Sequence, residues 1–138
     1  MLKSASAKKV AGSWQARSTS AGRIASTIAQ SGPIPAEAVA DRFGMTGAAL
    51  ALSLGLGRDA LTRRDRADSR KSQQRLREML EIIGLVHDWA GSDLAAMSWY
   101  RATPLPAFGG RTAEAVVKDG NAHLVREYID HLALGGYA

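Results

Sequence analysis

Through the second half of the chain, apolar residues recur at three- and four-residue steps and never alternate over the length of a strand, which predicts helices. The clearest run is Leu76, Met79, Leu80, Ile83, Val86, His87 and Ala90, one apolar stripe on a helix predicted over 71–90, about five turns long. Gly91 stops it, and Ser92 caps a short helix over 93–101 with Leu94, Met97 and Trp99 available for packing. A helix over 112–118 follows, broken at Asp119-Gly120. Asn121 is then expected to cap a last helix whose inward stripe is Leu124, Val125, Tyr128, Ile129 and Leu132. Gly135-Gly136 ends it and leaves Tyr137 and Ala138 as a tail.

The first half reads as shorter pieces. Residues 1–18 show no periodicity and are expected to be a disordered basic arm, with a lone Trp14. A short helix over 20–30 is closed by Ser31-Gly32-Pro33-Ile34-Pro35. Helices are then predicted over 36–43, ended by Gly44, and from a Thr46 cap to Gly55, with Leu50 and Leu54 buried. A further helix is expected over 57–68, with Leu61 its main buried residue. Two short helices joined around a glycine, the second loaded with arginine, form a helix-turn-helix pattern. On that reading Ala51 lies where the helices cross and Gly55 supplies a positive φ. Arg58, Asp59, Thr62 and Arg63 face base edges, while Arg64, Arg66, Arg70 and Lys71 are better placed for phosphates. The plainer alternative is a helical hairpin with a solvated basic face. Asp59 would repel phosphates, and Gly57 stands where a capping hydroxyl is expected.

Between the last helical segments lies Trp99-Tyr100-Arg101-Ala102-Thr103-Pro104-Leu105-Pro106-Ala107-Phe108-Gly109-Gly110-Arg111-Thr112. Two prolines one residue apart forbid helix there, and the glycine pair allows a sharp turn. Thr112 caps the next helix, with Glu114 in its first turn. A stiff apolar platform is more than a connection requires. Its rings either complete a small core or stay exposed as anchors for a partner, with Arg101 and Arg111 flanking them as donors to carboxylate or phosphate.

Charge divides the chain. Residues 58–77 carry eight bases against three acids, whereas 78–138 carry four bases against eight acids, within a net charge of +5. One end suits a polyanion and the other something else. The 138 residues contain no cysteine, which leaves disulfides and Cys-based zinc sites out. The weakly polar run at 45–57 is too short to span a bilayer. These features are consistent with a cytoplasmic protein. No catalytic constellation, phosphate loop or cofactor motif is present, so an enzyme is not expected and no cofactor is implied. His123, Glu127 and His131 share one helix face but read as a solvated surface rather than a metal site.

Trp99 through Pro104, then Ala107 through Thr112, then Gly120, Val125 and the closing Gly135-Gly136-Tyr137-Ala138 resemble the Xre/MbcA/ParS-type antitoxins. Gly55 and Leu61-Thr62-Arg63-Arg64 are similar to the helix-turn-helix of that family. The likeness spans about residues 33–138, with Pro106 and Ala113 as departures from the family pattern. It implies an all-α fold, a Cro/Xre-like helix-turn-helix bundle over 19–90 followed by a small helical toxin-binding domain over 91–138. It implies an antitoxin that covers the NAD site of a RES-domain toxin, one that consumes NAD or transfers ADP-ribose. The toxin-binding residues it implies are Trp99, Arg101, Pro104, Phe108, Gly109, Gly110, Arg111, Gly135, Gly136, Tyr137 and Ala138. Operator DNA, met by Arg58, Asp59, Thr62, Arg63, Arg64 and Arg66, and a homodimer are further partners to expect. The rival reading is a stand-alone DNA-binding regulator.

Overall fold

The computed structural model describes residues 32–135. Gly136, Tyr137, Ala138, the arm at 1–18, Trp14 and the helix expected over 20–30 lie outside the described residues. Within them are seven α-helices, a single 3-10 turn and no strand. They are α1 (Ala36–Arg42), α2 (Gly47–Ser53), α3 (Arg64–Ala67), α4 (Arg70–Ala90), α5 (Asp93–Ala102), α6 (Ala113–Lys118) and α7 (Ala122–Ala133).

Local chemistry sets most of these ends. The side chains of Thr46, Ser69, Ser92 and Thr112 each accept a backbone N–H three residues on, satisfying a donor that the first helical turn leaves without a partner. Gly91 closes α4 at φ +93°, a left-handed conformation that costs glycine little. Asn121 occupies the cap position of α7, but its side chain makes no capping bond.

Helix α4 is the axis of the fold. Leu76, Met79, Leu80, Ile82, Ile83 and Val86 are buried along it, and α5 and α7 pack against it. One core cluster takes in Ile34, Val39 and Phe43 from the N-terminal side, the α4 stripe, and Met97, Tyr100, Val116, Val117, Val125 and Ile129 from the C-terminal side. Each fully buried aliphatic chain of this kind contributes about 1.5–3 kcal/mol. The two sides are also stitched by polar contacts. Gln73 bonds to both backbone groups of Ile34 and to the Ala67 carbonyl. Arg42 of α1 pairs with Asp93 of α5 at 2.9 Å, and the same carboxylate accepts from the buried His87 at 3.1 Å.

The helix expected over 57–68 is not formed. Residues 54–63 run as successive turns, and only Arg64–Ala67 is helical. Ala60 and Thr62 donate their amides to Gly57 and Asp59, three residues back, and the Thr62 hydroxyl also donates to the Asp59 carbonyl at 2.8 Å. Those local bonds compete with a helical ladder. Gly57 offers no cap, and Leu61, only half-buried, gives the segment too little apolar contact to offset helix nucleation. The second helix of a helix-turn-helix is therefore absent among the described residues, although Ala51 is buried and Gly55 takes φ +74° as that pattern required.

Candidate functional site

The segment from Thr103 to Arg111 is closed on itself by its backbone. Leu105 and Arg111 form an isolated antiparallel bridge, with the Leu105 amide donating to the Arg111 carbonyl at 3.0 Å. The amides of Phe108 and Gly110 both donate to the Leu105 carbonyl at 2.9 Å. Pro106–Phe108 makes one 3-10 turn, and Gly109 and Gly110 reverse the chain at φ +67° and +84°. Leu105 is buried and pins the loop to the core, while Pro104, Pro106, Ala107, Gly109, Gly110 and Arg111 are exposed. A rigid tip is thus presented on a fixed base.

The base is held mainly by α6. Glu114, in the first turn of that helix, accepts from the Ser53 hydroxyl and from Arg101 Nε at 3.1 Å, with Lys118 Nζ 3.8 Å away. Arg75 of α4 donates to the Val117 carbonyl at 2.6 Å. A Cβ on Gly55 would lie 3.3–3.4 Å from Lys118, so the turn after α2 sits directly on the end of α6. Arg111 is clasped by Asp119 at 2.6 Å and by the Ala115 carbonyl at 3.0 Å. Both arginines beside the loop are thus positioned by carboxylates of the same chain, with the side chain of each still about half exposed.

The aromatic residues divide by role. Tyr100 is fully buried, and its hydroxyl has no hydrogen-bond partner among the described residues. Burial, aided by the Glu114 and Glu78 carboxylates, raises its pKa and keeps it neutral. Phe108 is half-buried with its ring edge against Tyr128, centroids 5.6 Å apart. Trp99 is half-buried and meets Trp89 edge-on at 6.2 Å. Trp89 is 49% exposed, and Leu85 and Leu94 are exposed too. Sequence reading missed Trp89 and Leu85. Their signal was a place one step off the buried α4 stripe, at i and i+4, where large apolar side chains have no internal reason to be. Leu124, expected on the inward stripe of α7, is exposed instead, and so is Leu94, which was available for packing. Gly135, at φ +91°, ends the described chain beyond α7.

The basic segment is arranged differently. Arg58, Asp59, Thr62, Arg63, Arg64 and Arg66 are all exposed. Arg58, Asp59 and Arg66 meet Lys71, Ser69 and Ser72 around an open concavity of about 520 Å³, while Thr62, Arg63 and Arg64 lie outside its lining. His123, Glu127 and His131 are exposed on α7. No helix among the described residues is long and apolar enough to cross a membrane.

No curated protein and no solved structure matches the chain. Residues 85–135, which hold the end of α4, the closed loop and all of α5, α6 and α7, match the family described as the antitoxin Xre/MbcA/ParS C-terminal toxin-binding domain, a match that supports a toxin-binding antitoxin.

Proposed function

We propose that the chain is an antitoxin that silences a RES-domain toxin by docking the 103–111 loop on it and covering its NAD site. The carrying observation is the closed, exposed loop inside the matched segment, braced from below by Leu105 and Glu114. Preorganised surfaces lose little conformational entropy on binding, which favours tight association. Trp99, Phe108 and the flanking Arg101 and Arg111 supply the residue types that dominate interface energetics. Gly135 ends the described chain at positive φ, and Gly136-Tyr137-Ala138, which follow it in sequence, are proposed to enter the nucleotide pocket. Tyr137 would stack where a flat ring normally sits. The protein acts by binding, in the cytoplasm, with no reaction of its own.

Co-expression of the neighbouring gene's product with this chain tests the proposal. The pair should co-purify, and the wild-type chain should abolish NAD loss or ADP-ribosylation. Ala107→Asp, at the exposed loop tip, should break the complex without unfolding the protein. Deletion of residues 135–138 should restore toxin activity while leaving the complex intact. Full silencing by that truncated chain would remove the tail from the mechanism, and co-purification of Ala107→Asp at wild-type yield would remove the loop.

Operon autorepression and a homodimer belong to the same proposal. Without a base-reading helix among the described residues of one copy, repression would require the complex to bring two or more basic segments onto one DNA site.

A further inference from the structure

The open concavity beside the start of α4 has a mixed lining. Arg58, Arg66 and Lys71 stand around it, and none of them has an ion pair or side-chain hydrogen bond among the described residues. One carboxylate, Asp59, shares the lining, and among the described residues its side chain is also without a partner. Half-buried Leu56 and Ala60 supply apolar surface. Lys71 stands in the first turn of α4, which contains no acid, so the dipole of that 21-residue helix adds to the positive potential. At about 520 Å³ the concavity falls within the range of small-molecule sites, roughly 300–1,000 Å³.

Three cations converging on one space call for an anion, but they do not account for Asp59. An ionised carboxylate only accepts hydrogen bonds, so among phosphate-binding cations it opposes a bare polyphosphate and suits a ligand that also brings donors. Neighbouring hydroxyls of a sugar are such donors. Leu56 and Ala60 leave a face for an uncharged ring. We infer that the concavity binds a free ribonucleotide, with its phosphates on Arg58, Arg66 and Lys71, its ribose hydroxyls donating to Asp59, and its base against Leu56 and Ala60. The backbone of a DNA duplex has no free sugar hydroxyl to offer Asp59, and Arg63 and Arg64 lie outside this lining. The site is therefore independent both of the toxin docking and of the operator contacts proposed above.

Isothermal titration calorimetry of the full-length chain, in magnesium-free buffer at fixed ionic strength, tests the site with ATP, its 2′,3′-dideoxy analogue and inorganic tripolyphosphate. ATP should bind at least about tenfold more tightly than either of the others. Charge alone would favour tripolyphosphate, which is no less negative than ATP. Asp59→Ala should erase both preferences, weakening ATP and strengthening tripolyphosphate. Arg58→Gln, Arg66→Gln and Lys71→Gln together should weaken ATP by more than about a hundredfold, with circular dichroism unchanged because all three side chains are exposed. Arg63→Gln with Arg64→Gln, a loss of two charges outside the lining, should change ATP affinity by less than about threefold. Residues 1–31 are common to every one of these chains, so the differences exclude any share from them. No heat from ATP, equal binding of ATP and tripolyphosphate, full affinity for the dideoxy analogue, or an equal loss in the Arg63 and Arg64 pair would each overturn the inference.

Discussion

Two regions of this small protein treat charge in opposite ways. In the C-terminal part, Arg101, Arg111, Lys118 and Arg126 each meet a carboxylate of the same chain, at Glu114, Asp119 and Glu81. Between residues 58 and 71, six cations meet none among the described residues. Charge in the first region serves to fix geometry, holding α6 and the loop it supports. In the second it is left unsatisfied on a surface of turns with little apolar burial. The difference teaches that shape is determinate at one end of the molecule and potential at the other, as separate binding tasks would need.

Substitutions can break or sharpen that contrast. The largest effect belongs to the core that the two regions share. Ile83→Ala should cost about 2–5 kcal/mol, and urea unfolding followed by tryptophan fluorescence and far-ultraviolet circular dichroism should stay coincident. Separate transitions would mean that the two ends fold independently. Glu114→Ala should cost about 1–3 kcal/mol in the same assay, because Ser53, a buried hydroxyl, loses its acceptor and Arg101 its carboxylate. Gly55→Ala combines positive φ with contact on Lys118 and should cost about 1 kcal/mol. Arg64→Gln and Arg70→Gln should change stability by less than about 0.5 kcal/mol, in the stabilising direction, as relief of repulsion would give. Equal costs for Glu114→Ala and Arg64→Gln would erase the comparison.

Tyr100 supplies a pH test confined to the determinate end. Its raised pKa means that the unfolded chain loses the phenolic proton first as pH rises. The contribution of Tyr100 to stability is therefore constant below about pH 10, the ordinary tyrosine range, and falls above it. Tyr100→Phe should remove that alkaline loss in urea titrations. At neutral pH it should be neutral or stabilising by up to about 1 kcal/mol, since the hydroxyl it deletes has no partner among the described residues.

Helix boundaries written in short-range chemistry were legible in the sequence. Thr46, Ser92 and Thr112 cap where a hydroxyl precedes an apolar run, and Gly44, Gly55 and Gly91 end helices with positive φ. The α4 stripe followed from spacing alone, although Ile82 widened the buried face beyond one row. The proline-glycine segment was readable as rigid, but its closure through Leu105 and Arg111 was not, because backbone pairing leaves no mark on residue identity. Residues 57–63 misled for a related reason. Their composition tolerates a helix, and the local bonds to Gly57 and Asp59, with Leu61 only partly buried against the core, decide against it. Glu114 escaped notice as a hub because its partners at Ser53 and Arg101 come from distant positions.

The bridge between Leu105 and Arg111 has a consequence for diversification. Five main-chain hydrogen bonds and a glycine pair draw the outline of that loop, so the residues at 104, 106 and 107 contribute surface chemistry without dictating the fold beneath. Those positions can be exchanged for others, and a duplicated copy could drift toward a different target while its sibling keeps the old one.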